Sequence, residues 1–185
     1  KNKLSNSSKY KIDSYSADLK RSDEVQLLFD NISVKYKKLS GIVFSIAQPF
    51  SNKLTHNIPW KDFSEQIDSQ LKSLHFVIQN VLPLLKGRKY GARLVVLSTE
   101  FLIGVPPIKT ASYVSAKAAL TAYSRVLSQE WLKYNIRVHI LAPGMVKSSL
   151  TDHMPDRYLD QVVESMPEKQ LTTVDDVADM AEFLM

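Results

Sequence analysis

The sequence predicts an α/β fold built on a doubly wound parallel sheet. Three observations carry that prediction. Gly41–Ala47 (GIVFSIA), Ala92–Leu97 (ARLVVL) and Ile136–Leu141 (IRVHIL) are apolar throughout, as strands buried on both faces are. Longer stretches with apolar residues at helical spacing separate them. Glycine and proline punctuate the junctions, and right-handed crossovers then place helices on both faces of an open sheet.

The elements follow in order. Residues 1–9 are rich in Lys, Asn and Ser and read as a loose end, and residues 10–17 (YKIDSYSA) alternate as a short strand would. Asp23 to Tyr36 sets Val25, Leu28, Phe29, Ile32 and Tyr36 at helical spacing, with Ser22 or Asp23 as N-cap. The first apolar run follows, between Gly41 and Pro49. Pro59 to Leu85 is a long amphipathic helix, expected to stop at Pro83 and Gly87. Ala111 to Tyr134 is helical, and the strand at 136–141 ends at Pro143-Gly144. Residues 156–166 and 173–185 read as helices, the second capped by Thr173 with Asp176.

Composition narrows the function classes. The chain has 185 residues, 44% hydrophobic and 23% charged, which suits a single domain and excludes collagen-like or disordered sequence. It contains no cysteine, which excludes a thiol nucleophile, a disulfide framework and a thiolate metal site. His56, His75, His139 and His153 share no ligand spacing, so no metal is expected. The net charge is +5, yet the cations are dense only at Lys35, Lys37, Lys38 and at Lys86, Arg88, Lys89. Both groups follow helical stretches, where cations complement the helix dipole. No run reaches the roughly 18 apolar residues of a membrane helix, and the polar N-terminus lacks a signal-peptide core. The expectation is a soluble cytoplasmic protein with no nucleic-acid or membrane partner.

In a doubly wound sheet the ligand crevice lies outside the carboxyl ends of the strands. Ser45–Pro49, Ser98–Glu100 and Pro143–Ser148 are therefore the segments to read for chemistry. Tyr113 and Lys117 stand four residues apart at the start of a helix, which stacks them on one face, one turn apart. A free phenol titrates near 10, and a neighbouring ammonium lowers that value toward working pH. Such a tyrosine can exchange a proton with a carbonyl or alcohol oxygen. Ser98 and Thr99 end the preceding strand and supply hydroxyls to the same crevice.

Taken together, these segments resemble the short-chain dehydrogenase/reductase family. SYVSAKAALTAYSRVLSQEW is similar to the family's catalytic helix, and NIRVHILAPGMVKSSL to its NIRVNxIxPGxVxT segment. Asp18-Leu19 resembles the Asp-Val/Leu pair that follows the family's third strand. Ser45-Ile46-Ala47-Gln48 stands where the family has Asn-Asn-Ala-Gly, and Met166 to Leu184 resembles its C-terminal Asp-Val-Ala segment.

The resemblance implies a Rossmann-like fold and an NAD or NADP cofactor. It implies that Tyr113 gives a proton to a ketone oxygen as hydride arrives, that Lys117 lowers the phenol's pKa and holds the nicotinamide ribose, and that Thr99, or its neighbour Ser98, hydrogen-bonds the reacting oxygen. Asp18 and Leu19 would touch adenine; Ser45, Ile46 and Ala47, with Pro143, Gly144, Val146 and Ser148, would line the cofactor. Gln70 falls where the family often keeps an Asn that holds a relay water in a helix distortion. Residues 147–170, with Leu150, Met154, Tyr158, Leu159 and Met166, would form a substrate lid. Relatives pair through the helices here at about 60–85 and 112–133, which implies a homodimer or homotetramer. The positions Leu71, Leu74, Ile78, Leu120, Tyr123, Leu127 and Trp131 would serve that face or the chain's own core.

Two departures shape the expectation. Ser-Ile-Ala-Gln is closer to the enoyl-reductase branch, but that branch spaces Tyr and Lys by seven positions, so Tyr113-Lys117 points to carbonyl chemistry. The family's glycine-rich turn is absent, because the glycines stand at 41, 87, 91, 104 and 144. The chain thus reads as a single domain incomplete at both ends, starting near the family's third strand and stopping before its last. Without the first two strands, the third would be separated from the fourth, whose apolar edge would lie bare. The expected function is an NAD(P)(H)-dependent oxidoreductase acting on a small or carrier-bound ketone. The alternative is a relative that has lost catalysis and serves as an interaction or regulatory domain.

Overall fold

A computed structural model describes residues 11–148, 150, 151, 154 and 156–185. Helix α1 spans Ser22–Lys35, strand β1 Gly41–Phe44 and helix α2 Trp60–Ile67. A π turn over Asp68–Lys72 joins α2 to α3, Ser73–Leu85. Strand β2 covers Ala92–Leu97, α4 Ala111–Leu132, β3 Ile136–Leu141, α5 Asp156–Ser165 and α6 Val174–Leu184. The strands pair in the order β1-β2-β3, all parallel, with Phe44 opposite Val96 and Val96 opposite Ile140. This three-stranded parallel sheet with its crossover helices is the doubly wound, Rossmann-like arrangement. No helix among the described residues is long and apolar enough to cross a membrane.

Alternation along the strands divides the packing between the two faces. Phe44, Ala92, Leu94, Val96 and Ile136 form one buried cluster with Val25 and Phe29 of α1, Leu74, Val81 and Leu85 of α3, and Leu120, Leu127 and Trp131 of α4. Five of the seven candidate interface positions, Leu74, Ile78, Leu120, Leu127 and Trp131, are thus buried inside the chain. The opposite face carries Val95, fully buried, and is approached by α6. Val43 on β1 stays 43% exposed.

Several junctions differ from the sequence expectation. Residues 11–17 form no strand. Alternation alone does not make a strand without a ladder partner; here the Asp13 carboxylate instead accepts from Lys35 and Tyr36 at the end of α1. Helix α1 has Arg21 at its N-cap, with no side-chain cap. Pro83 lies within α3 and does not stop it: so close to the end it removes one hydrogen bond, and the helix runs on to Leu85. The last carbonyls find partners, since Lys38 Nζ donates to Pro83 O (3.0 Å) and Lys86 O (2.7 Å), and Leu39 N to Leu84 O (3.0 Å). Gly91 opens β2 at φ +75°, where an added Cβ would lie 2.4 Å from Asn135 O.

Helix α6 starts where the sequence places it. Thr173 Oγ1 accepts from Asp176 N at 3.1 Å, and Thr173 N donates to the Asp176 carboxylate at 2.8 Å, a complete capping box. Thr173→Ala is expected to cost about 1 kcal/mol, read as a lower urea midpoint with an unchanged slope.

Candidate active site

The loops leaving β1, β2 and β3 converge, as the topology requires, on a cavity of about 520 Å³. Ser45, Ile46 and Ala47 come from the first loop, Ser98 and Thr99 from the second, and Pro143, Gly144, Val146 and Ser148 from the third. Tyr113 and Lys117 enter from the first turns of α4. Leu150 and Met154 of the expected lid also line it, whereas Leu159 faces a neighbouring depression and Tyr158 and Met166 line neither.

Tyr113 is 8% exposed, and its ring is stacked on Phe50 with centroids 5.0 Å apart and planes at 27°. The Thr99 side chain, whose hydroxyl accepts from Phe101 N at 3.4 Å, lies beside the phenol and favours its ionised form, but burial outweighs it and pushes the phenol above its ordinary value. Lys117 is 2% exposed; its Nζ donates to Leu97 O at 2.7 Å and lies 5.8 Å from the centre of the Tyr113 ring. Burial lowers its pKa to about 8. The ammonium thus donates to a strand carbonyl while staying beside the face of the phenol ring.

The adjacent hydroxyls separate because consecutive residues of an extended chain point to opposite sides. Ser98 Oγ meets Thr121 Oγ1 at 2.6 Å, on the body of α4, while Thr99 reaches the phenol. The loop after β3 is shaped by Thr151, which is buried. Its hydroxyl accepts from Ser148 N (3.0 Å) and lies within bonding distance of Val146 O (3.0 Å) and Ser148 O (2.9 Å).

Three expected site residues stand elsewhere. Asp18 is exposed at the turn before α1, its amide donating to Glu24 and its carboxylate accepting from Lys20 N, and Leu19 packs beside the core. Neither lines the cavity, because residues 11–18 do not join the sheet that would carry them there. Gln70 does occupy a distorted turn, the π segment, but is fully buried off the cavity wall. Its Nε2 donates to Gln66 Oε1 at 3.2 Å, and its own Oε1 has no partner among the described residues. Conversely, Phe50, Phe101, Met145, Thr151 and four α6 residues, Val174, Val177, Ala178 and Ala181, line the cavity without having been named as site residues. Met145 and Thr151 fall inside segments singled out in the sequence, and Phe50 and Phe101 directly follow two others.

The donor set suits one end of a nicotinamide cofactor. The loop after β3 brings backbone close to the cavity at Gly144, where an added Cβ would lie 3.1 Å from the Glu100 carboxylate. Ser45, Ser148 and the spare protons of Lys117 offer polar contacts within otherwise apolar walls.

A model of the family described as enoyl-(acyl carrier protein) reductase matches residues 2–185. The 3-oxoacyl-(acyl-carrier-protein) reductase of Staphylococcus epidermidis is 26% identical over 168 residues, 91% of this chain and 68% of that protein. Among solved structures, the NADH enoyl-(acyl-carrier-protein) reductase of Aquifex aeolicus VF5 superposes with a TM-score of 0.82 at 24% identity, over 91% of this chain and 66% of that one. An NAD+-bound xylitol dehydrogenase gives 0.82 at 18% identity, over 92% and 71%. The two structures show a shared fold, and the chain spans about two thirds of the length of these proteins. The chain belongs to the short-chain dehydrogenase/reductase family. It is an oxidoreductase-family domain whose relatives include reductases of carrier-bound acyl groups.

Proposed function

We propose that this protein is an NAD(P)(H)-dependent oxidoreductase that interconverts a ketone and a secondary alcohol. The observation that carries the reading is the meeting of Thr99, Tyr113 and Lys117 on the wall of one apolar cavity, with Lys117 one helical turn beyond Tyr113.

A nicotinamide, NAD or NADP, supplies or accepts the hydride when bound. Lys117, Ser45, Ile46, Ala47, Pro143, Gly144, Val146 and Ser148 would hold it. In reduction, Tyr113 Oη donates its proton to the ketone oxygen; in oxidation it takes the proton from the alcohol. Thr99 is fixed beside the phenol, where its hydroxyl can follow the charge that moves onto oxygen. Lys117, charged at neutral pH, stabilises the phenolate left when Tyr113 gives up its proton, and in oxidation that phenolate is the base.

The family description names enoyl reduction, yet a Tyr and Lys one turn apart, with the Thr99 hydroxyl on the same cavity wall, suit proton delivery to a carbonyl. Leu150, Met154 and Phe50 make the walls apolar, which favours an acyl or aliphatic ketone, small or carrier-bound. The active form would be a homodimer or homotetramer, with the exposed Val126 and Leu132 of α4 available to an interface.

The test is oxidation of reduced nicotinamide by the full-length protein across a ketone panel. Thr99→Val is expected to lower kcat by about 10²-fold or more, whereas Ser98→Ala should change it less than about threefold. Equal losses in the two variants would remove Thr99 from its role. No turnover with any ketone by a folded protein that binds the cofactor would overturn the reading and leave the interaction-domain alternative.

A further inference from the structure

The loop after β1 reaches the phenol through a ring that the proton chemistry does not use. Phe50 stacks on Tyr113, and its placement follows from the residue before it. Pro49 O accepts a hydrogen bond from Gln66 Nε2 at 3.1 Å. Gln66 is 2% exposed, and its Oε1 accepts from the fully buried Gln70 across the π turn. One residue earlier, Gln48 Nε2 donates to Glu65 O at 3.2 Å. The loop is thus tied to the end of α2 at two successive residues. Because Pro49 lacks an N–H and has a fixed φ, its carbonyl is the backbone group through which the helix can grip it.

Both ends of this relay are chemically demanding. A buried primary amide needs partners for its donors and its acceptor, and Gln66 meets that need by bridging Gln70 to Pro49. At the other end, an apolar ring lies against the face of a group that must exchange a proton. We infer that Gln66 is a positioning residue that, through the Pro49 carbonyl, holds Phe50 against Tyr113, keeping water from the phenol and setting the width of the substrate slot. The inference rests on the carbonyl-reduction reading for its effect on turnover, but not for its effect on the phenol. With Phe50 in place the slot takes a ketone that is slender beside the carbonyl; release of the ring would admit bulkier ones.

Gln66→Met keeps the side-chain length and removes the donor, and Phe50→Leu removes the ring without touching the helix. The phenol is read by spectroscopic titration, each background minus its own Tyr113→Phe counterpart, which needs no turnover. Burial under Phe50 contributes to the raised titration of Tyr113, so both variants should shift its midpoint down by about half a unit or more. The pH profile of kcat/KM should move with it. KM for a slender ketone should rise about fivefold with kcat within about threefold, and the double variant should match the single ones, since both act on one contact.

A merely structural Gln66 would lower stability and leave the phenol's midpoint unmoved, and that result overturns the inference, as do strictly additive shifts in the double variant. If Gln66→Met does not fold, an unmoved midpoint in Phe50→Leu is sufficient to overturn it. A shifted midpoint without turnover of any ketone supports the positioning role while refuting the proposed reaction.

Discussion

Tyr113→Phe is expected to lower kcat for ketone reduction by about 10²–10⁴-fold while leaving the fold and cofactor affinity intact. The substitution deletes one oxygen. The ring that stacks on Phe50 stays, so the aromatic contact at 5.0 Å and the packing of α4 are retained. The proton donor goes, and Thr99 keeps its contact with Phe101 N. Removing a hydroxyl from a buried pair costs about 1 kcal/mol, too little to unfold a domain of this size. The measurements are steady-state kinetics beside a thermal melt and a cofactor titration. A residual rate within about tenfold of the parent would refute Tyr113 as proton donor.

The second large effect belongs to Lys117, and it divides between activity and stability. Burial lowers its ammonium from 10.5 to about 8 in the folded chain. Above 10.5 the group is neutral folded and unfolded, and it costs nothing. As pH falls below 10.5 the unfolded chain takes up the proton first, so stability declines until the folded group also protonates near 8. By pH 7 the full penalty, about 3 kcal/mol, is in place. Lys117→Met abolishes that dependence but forfeits the bond to Leu97 O. The parent is therefore expected to gain about 2 kcal/mol relative to Lys117→Met between pH 7 and pH 9.5, measured by urea unfolding at each pH. Activity should fall about 10²-fold in the same variant, because its positive charge is lost from the proton-transfer site. A pH-independent stability difference would show that the ammonium is hydrated in the folded chain.

The parts of this molecule that local chemistry determines were readable in the chain. Ala92–Leu97 and Ile136–Leu141 are strands at the boundaries their apolar runs mark, and Thr173 with Asp176 caps α6 as the spacing requires. Tyr113 and Lys117 meet at the cavity because four residues along a helix is one turn. What depended on distant neighbours was not readable. Residues 11–17 alternate like a strand, but a ladder partner is a property of the sheet. Ser98 and Thr99 are equivalent in composition, and only the direction of the chain after β2 sends one to Thr121 and the other to Tyr113. For Lys117 the spacing gave only proximity to the phenol, while burial and the carbonyl of Leu97 decide its charge and aim. Phe50 belongs to no periodic pattern. Its position comes from Gln66, sixteen places further along the chain.

The wide turn at Asp68–Lys72 also fixes the phase between two helices. Each residue of an α-helix advances the side chains by about 100°, so a segment with one residue more per turn changes the heading of everything after it. Upstream, Gln66 reaches toward the loop after β1; downstream, Leu74, Val81 and Leu85 belong to the sheet-facing core. Loss of a single residue there would swing α3 by roughly a quarter turn and leave either the core or the glutamine misdirected. Length in this segment is therefore constrained more tightly than residue identity, and substitutions should be tolerated where deletions are not.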